Sequence, residues 1–248
     1  MPCMCKKVVV FDLDDTLYKE IDFLKSAYRH IASLVSNANA QENEVYQTLL
    51  DTYMQGGNAF ETVVKKFNFQ LFSVEWMLGV YRHHQPHIQL DSDIKQTLEA
   101  LKAKGVFLGI ISDGRRKQQE NKIEALGLKA YIPEENMVVN EVKGRFKPDR
   151  QSFKFFMEKY GKDSDFWYVG DNTFKDFVAP NTLGWTTVCL IDDGSNIHKQ
   201  NFQLESPFMP KLRIKLLSEL LDGGTRKPVS VFVNGDTTMH MKKVIRKE

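Results

Sequence analysis

The stretch Val8-Val9-Val10-Phe11-Asp12-Leu13-Asp14-Asp15-Thr16-Leu17 decides how this chain is read. Four apolar residues run directly into three carboxylates. A continuous β-branched and aromatic run is the mark of a strand buried on both faces. Asp12 follows that strand, and Asp14 lies two residues further on. In extended backbone both carboxylates would point to one face and repel each other, unless a cation or a proton intervened. A divalent ion resolves the conflict, and hard oxygen ligands suit Mg²⁺. Taken alone, the stretch also fits a carboxylate-rich turn that caps the next segment through Asp15 or Thr16.

Four further runs share the character of the first: GVFLGII from Gly105, NMVVN from Asn136, DFWYVG from Asp165 and TTVCLI from Thr186. Each is short, apolar and bounded by turn or polar residues, as buried parallel strands are. Helical patterns separate most of them. Ile94, Leu98 and Leu101 share a face after Asp91-Ser92, and Gly105 can close that helix. NKIEALG ends in the same way at Gly127. Pro148 is placed to open a helix in which Phe153, Phe156, Met157 and Tyr160 recur at helical spacing. The alternation predicts an α/β fold, a doubly wound (Rossmann-like) parallel sheet with right-handed crossovers.

One interval breaks the rhythm. Residues 18–87 contain no strand pattern. Ile21, Leu24, Tyr28, Ile31 and Val35 form one helical stripe, and Val45, Leu49 and Tyr53 a second that ends at Gly56-Gly57. Val63, Val64 and Phe67 suggest a third helix, and Val74, Met77, Leu78 and Tyr81 a fourth. The expected organisation is a core of residues 1–17 and 88–227, an inserted helical lobe at 18–87, and a β-hairpin extension at 228–248 around Asn234-Gly235. Loops at strand C-termini hold the sites of open α/β sheets, so the lobe should overhang Asp12. His83, His84 and His87 resemble metal ligands, but Pro86 interrupts any helix that would align them, and they read as linker.

Composition narrows the function classes. The 248 residues carry 34 Lys plus Arg against 32 Asp plus Glu, a net charge of +2. That balance gives no footprint for a nucleic acid polymer or an acidic membrane, so any basic site is local. Three cysteines, Cys3, Cys5 and Cys189, make no disulfide framework, and two thiols near one end are an incomplete metal set. No segment has the length of a membrane span or a signal peptide, so a cytoplasmic protein is expected.

Three more segments bear on the opening carboxylates. Ile110-Ile111-Ser112-Asp113-Gly114 ends the second strand with a hydroxyl and free N–H groups, an anion cradle at a strand-to-helix turn. Lys147, before Pro148, offers a fixed positive charge for a phosphoryl group. Gly170-Asp171-Asn172 follows another strand, and Asp176 lies five residues beyond Asp171. Gly170 allows a sharp turn there. Asp171 can complete a metal site begun by Asp12, and Asp176 can orient Lys147 or a metal-bound water.

With these segments in view, the chain resembles the haloacid dehalogenase superfamily of phosphatases. The likeness rests on Asp12-Leu13-Asp14-Asp15-Thr16-Leu17, on Ser112, on Lys147 before Pro148, and on Gly170-Asp171-Asn172 through Asp176, in the family's order. The helical insert resembles that family's C1 cap. The resemblance implies a phosphatase acting on a small phosphate monoester, such as a sugar phosphate or nucleoside monophosphate, with Mg²⁺ as cofactor. Asp12 would be the nucleophile and Asp14 the acid and base. Mg²⁺ would be held by Asp12, the backbone carbonyl of Asp14, and Asp171. Ser112, the N–H of Asp113 and Lys147 would bind the phosphoryl oxygens. Tyr18, Arg115, Arg116 and Asn172 are candidates for substrate specificity, with Arg115 and Arg116 placed to grip a second anionic group.

Rival functions remain open on sequence. Family dehalogenases and the phosphonate-cleaving branch lack the second aspartate, so Asp14 argues against both. A phosphomutase of the β-phosphoglucomutase type shares all four motifs. A non-catalytic scaffold that kept the fold is the alternative outside the enzymes, and the retention of Asp12, Asp14 and Asp171 argues against it. Oligomeric state is not legible.

Overall fold

The first apolar run becomes β1 (Lys7–Phe11), and its residues are buried from Val8 onward. The computed structural model describes residues 6–37, 40–142 and 144–222. The other runs form β2 (Phe107–Asp113), β3 (Met137–Asn140), β4 (Asp165–Gly170) and β5 (Thr186–Leu190), and a short β6 (Leu212–Ile214) is added at one edge. The order is β3-β2-β1-β4-β5-β6, and every pairing is parallel. From β1 the chain steps outward to β2 and β3, then crosses to β4 on the other side of β1. The strand order therefore reverses beside β1, which places a crevice at the C-terminal ends of β1 and β4.

The lack of alternation in β1 has a direct cause. Val9 and Phe11 pack with Leu98, Leu101 and Ile123 on one face of the sheet. Val8 and Val10 pack with Phe153, Phe156, Tyr168 and Trp185 on the other. Helices α5 (Ser92–Ala103) and α6 (Arg116–Ala125) supply the first face, and α7 (Gln151–Tyr160) the second. A short α8 (Val178–Thr182) completes that second layer with Ala179.

Between β1 and β2 run α1 (Glu20–Val35), α2 (Glu42–Met54), α3 (Ala59–Lys66) and α4 (Val74–His83), in the places where the four helical stripes fall. They enclose a core of their own, with Ile31, Val35, Val45, Leu49, Val63 and Met77 at its centre. Asn58 and Ser73 cap α3 and α4 by accepting from the N–H groups of Glu61 and Trp76. Helix α1 belongs to both cores: Leu24, Tyr28 and Ile31 face the lobe, while Phe23 and Ala27 join the cluster under the sheet. The return linker is pinned as well. Asn121 of α6 donates to the carbonyls of His83 and His84 at 3.1 and 2.9 Å. His84 is buried against the Ser26 hydroxyl at 2.8 Å, and burial pushes its imidazole down to about 4, so it sits there neutral. No histidine joins a metal-capable group among the described residues.

Three details depart from the sequence reading. Helix α7 starts at Gln151 rather than at Pro148, because residues 146–149 close a turn in which the Asp149 N–H donates to the Phe146 carbonyl at 2.9 Å. The Asp149 carboxylate then accepts from the Gln151 N–H at 2.8 Å and takes the place of an intrahelical partner. Strand β6 has three residues, with Arg213 exposed between Leu212 and Ile214, too short a run to read as a strand. The expected hairpin at 228–248 and the Cys3-Cys5 pair lie outside the described residues. No helix among the described residues is long and apolar enough to cross a membrane.

Phe153 is fully buried and meets Tyr168 and Trp185 edge-on at ring separations of 5.0 and 5.4 Å. Phe153→Ala should lower unfolding stability by about 3–5 kcal/mol, through lost burial and a cavity. Denaturant titration reads this directly; a loss below about 1 kcal/mol would mean that this face is not packed as described.

Candidate active site

The C-terminal ends of β1, β2 and β4 bring the predicted residues together. Asp12 continues the β1 ladder by donating its N–H to the Val169 carbonyl at 2.8 Å. Its Oδ1 accepts from the Leu13 N–H at 2.8 Å and lies 2.8 Å from Lys147 Nζ. The Lys147 side chain is wholly enclosed. Its ammonium also meets Asp176 Oδ1 at 2.8 Å and the Tyr168 hydroxyl at 2.9 Å. The Lys147 backbone is fixed too, since its N–H reaches the Asp113 carboxylate at 3.1 Å. The other oxygen of Asp176, Oδ2, accepts from the Asn172 N–H at 2.8 Å.

Gly170 serves this arrangement differently from the sequence expectation. Its φ is not in the left-handed region, so a sharp turn is not its purpose. A Cβ at Gly170 would stand 2.6 Å from Asp176 Oδ2. The glycine is needed so that the Asp176 carboxylate can lie against the backbone just before Asp171.

Asp12, Asp171 and Asp176 form a buried carboxylate group whose ligand atoms lie within 4.8 Å of one another. Burial, then Asp176 and Asp12, push Asp171 up to about 9. Burial also pushes Asp12 up to about 6, against the pull of Lys147. Asp176 is held below the usual carboxylate range, because Lys147 and Lys175 outweigh its desolvation. The group thus keeps a proton on Asp171 at neutral pH, and a divalent cation can take that proton's place. The donor set fits such an ion: two hard carboxylates from adjacent strand ends, with Asp176 committed to Lys147 and Asn172 as support. Asn196 steadies Asp171 by donating to its Oδ2 at 3.0 Å.

Asp14 is not left facing Asp12. The backbone leaves the extended form at Asp15, with φ at 54°, and the Asp14 side chain reaches toward α6. Lys122 Nζ lies 2.7 Å from its Oδ1, Gln119 donates to its Oδ2 at 2.9 Å, and the Tyr18 hydroxyl donates to its Oδ1. Desolvation would raise Asp14, but Lys122 overrides it and holds the carboxyl below its ordinary value. The crowding of the opening stretch is therefore relieved first by two buried lysines, one for each carboxylate. Sequence reasoning missed Gln119 and Lys122. The available signal was α6 itself, where RKQQENKIEA lacks an apolar stripe although Gln119, Asn121 and Lys122 are buried.

Asp15 does neither job. Its Oδ1 accepts from the Glu20 N–H at 2.9 Å and so caps α1. Its Oδ2 accepts from the Ile197 N–H at 2.9 Å. Lys19 reaches the same loop through Asp193 at 3.1 Å and Asn196 at 3.0 Å. The segment after β5 is thereby tied over the site, a contribution with no motif to announce it.

Ser112 is buried at the end of β2, and its Oγ accepts from Gln119 at 3.1 Å. The Asp113 carboxylate accepts from Asn140 at 2.9 Å. A cavity of about 170 Å³ opens at Asp113, lined by Asp12, Asp14, Asp15 and Glu20 on one side and by Asp113, Asp171, Asn172, Lys175 and His198 on the other; Ser112 lies behind this lining. Asn172 thus faces the cavity, and Tyr18 stands behind Asp14. Arg115 and Arg116 are not part of it. Both are exposed, and Arg116 lies 4.0 Å from Glu120 and from Glu141. The anions beside Arg116 are the protein's own.

The fold and this carboxylate-lysine site define a hydrolase of the haloacid dehalogenase type. The sequence profile of the haloacid dehalogenase-like hydrolases matches residues 9–190, and the chain belongs to that family. The glyceraldehyde 3-phosphate phosphatase of Methanocaldococcus jannaschii is 29% identical over 199 residues, covering 75% of this chain and 85% of that protein. The enzyme of the same name from Pyrococcus furiosus is 27% identical, covering 73% and 79%. Among solved structures, a HAD phosphatase from Thermococcus onnurineus superposes with a TM-score of 0.54 at 23% identity, covering 87% of this chain and 96% of that one.

Lys122 is buried and Asp14 half-buried, so removing the lysine leaves the carboxylate without its counter-charge. Lys122→Met should cost about 1–3 kcal/mol in unfolding stability, less than for a fully buried pair because Asp14 keeps Tyr18, Gln119 and access to the cavity. Adding Asp14→Asn should restore more than half of that loss, as a double-mutant cycle would show. Additive losses would mean that the pair is not coupled.

Proposed function

We propose that the protein is a phosphatase that hydrolyses a small phosphate monoester, with Mg²⁺ held by Asp12, the Asp14 carbonyl and Asp171. The observation that carries this reading is the position of Asp12. It is a buried carboxylate at the switch point of the sheet, paired with an enclosed lysine and opening into a small polar cavity. The phosphatase relatives, which cover about three quarters of the chain, support the reaction class.

Asp12 attacks phosphorus and forms an aspartyl-phosphate, splitting one hard displacement into two easier ones. Lys147 holds the attacking carboxylate in place from beneath. Asp14 protonates the departing oxygen and then takes a proton from the water that releases phosphate. To do so its carboxyl turns from Lys122 and Gln119 toward the cavity it already lines. Ser112, the N–H of Asp113 and Lys147 bind phosphoryl oxygens. Held by Asp12, the Asp14 carbonyl and Asp171, Mg²⁺ would supply charge that shields the anionic nucleophile from the anionic substrate and stabilises the transferring group. Residues 18–87 act as a cap whose opening admits substrate, and whose closing over the crevice excludes water.

A panel of sugar phosphates, nucleoside monophosphates and small acid phosphates, scored by kcat/KM, tests the reading. Free phosphate should appear with Mg²⁺ and vanish with a chelator. An isomerised ester in place of free phosphate would mark a mutase, and no turnover of any ester would sink the proposal. Asp12→Asn should remove turnover; full activity of that variant on an aryl phosphate would refute the nucleophile.

Mg²⁺ binding should also release a proton. With Asp171 near 9, the metal-free site is protonated at pH 7.5 and the ion needs the carboxylate. Apparent affinity should therefore weaken by up to about tenfold per pH unit as pH falls below that value. Calorimetry in two buffers of different ionisation enthalpy counts the protons released; no release at pH 7.5 would contradict this ligand set.

A further inference from the structure

Six carboxylates line the cavity: Asp12, Asp14, Asp15, Glu20, Asp113 and Asp171. Five of them have partners within the protein. Asp12 meets Lys147 at 2.8 Å, and Asp14 meets Lys122 at 2.7 Å. Asp15 accepts from the N–H groups of Glu20 and Ile197. Asp113 accepts from Asn140 and from the Lys147 N–H, and Asp171 from Asn196. The sixth differs. The Glu20 backbone N–H is held by Asp15 in the first turn of α1, but its carboxylate receives no hydrogen bond or ion pair among the described residues. Burial, then the neighbouring Asp14, push that carboxyl up to about 7. A half-buried carboxylate without a donor is costly, and such a group is satisfied by a partner from outside the chain.

An acid in the first turn of α1 suits the helix dipole, but Asp22 supplies one on the exposed side, and the dipole does not require Glu20 to face the cavity. Its position beside Asp14 is more telling. Asp14 delivers the proton to the departing oxygen, so the alcohol part of the ester lies on the side that Asp14 and Glu20 line together. We propose that Glu20 is a specificity-determining residue, whose carboxylate accepts a hydrogen bond from a hydroxyl or ammonium group on the alcohol part of the substrate. The site then takes polyol or amino-alcohol phosphates, and it disfavours esters whose alcohol part carries a second anion. The placement of Arg115 and Arg116 agrees, since neither is in the lining to receive such an anion. The inference rests on the phosphatase reading for the direction in which the ester lies, and it names the class of alcohol that this reading leaves open.

The test uses the full chain with Mg²⁺ and compares glycerol phosphate, ethanolamine phosphate, propyl phosphate and phosphoglycolate. Their alcohol parts offer a hydroxyl, an ammonium, no donor and a carboxylate. In the parent, kcat/KM should favour at least one of the two donor esters over propyl phosphate by about tenfold or more, the worth of one charge-assisted hydrogen bond. A preference for glycerol phosphate assigns the hydroxyl as the donor, and one for ethanolamine phosphate the ammonium. In Glu20→Ala the preference should fall to within about threefold, and the gap between propyl phosphate and phosphoglycolate should narrow. Glu20→Gln keeps an acceptor without the charge, so it should retain part of a hydroxyl preference and lose an ammonium preference. Ratios taken within one protein cancel any loss of folded material, and Glu20→Gln serves if the alanine variant does not fold. A parent indifferent between the donor esters and propyl phosphate would overturn the assignment. So would an equal loss on all four esters in Glu20→Ala, which would leave the phosphatase reading intact. If the parent hydrolysed none of them, calorimetric affinities for the same esters read the same ratios. A binding preference abolished by Glu20→Ala would then keep the Glu20 contact while the phosphatase reading fell, and no binding preference would overturn both.

Discussion

The rest of the site depends on the enclosure of Lys147 by Asp12, Asp176 and the Tyr168 hydroxyl. A buried ammonium is costly unless charge and hydrogen bonds compensate it. Here three acceptors from three segments converge on one nitrogen. Asp12 comes from the end of β1, Tyr168 from within β4, and Asp176 from the turn after β4. Each contact needs local help. Gly170 lets Asp176 approach the backbone, and the Asp113 carboxylate holds the Lys147 main chain. Three carboxylates packed closely enough to hold a cation are stable only around such a counter-charge. Asp171, which has no lysine in ion-pair contact, is the one pushed up furthest.

The sheet makes this convergence possible. Parallel order with a reversal beside β1 brings the C-terminal ends of β1 and β4 side by side, so residues distant in sequence meet without long loops. The same edge carries the root of the helical lobe. Tyr18 and Phe23 pack around Lys122, whose ammonium lies 4.6 Å from the Phe23 ring centre. Asn121 holds the return linker at His83 and His84. Helix α6 thus touches both connections of the lobe and the Asp14 carboxylate at once.

Much of this was legible because it rests on periodicity and on motif spacing. The first five strands are continuous apolar runs, buried on both faces except at the edge strand β3, and the four inserted helices carry apolar stripes wide enough to fill a second core. Asp12, Ser112, Lys147, Asp171 and Asp176 were found through strand ends and order. What escaped has physical reasons. Gln119 and Lys122 are polar residues on a buried helix face, where a hydrophobic pattern gives no mark. The loop of residues 191–201 reaches the site through single hydrogen bonds from Asn196 and Ile197, which no spacing announces. Arg115 and Arg116 lie close to the site in sequence, but both are exposed and outside the cavity lining, and Arg116 faces Glu120 and Glu141. Gly170 was noticed for the wrong property: close approach, not a left-handed turn, fixes its identity.

The central claim is that Asp12, supported from beneath by Lys147, is the atom donor that attacks phosphorus. Rapid acid quench of the Mg²⁺-loaded protein during turnover of a phosphate ester, followed by peptide mass mapping, tests it most directly. The account predicts one phosphoryl group on the peptide that contains Asp12, located on that residue and chased to free phosphate on longer incubation. A phosphoryl group on any other side chain, or steady phosphate release with no phosphorylated peptide at any quench time, would contradict it.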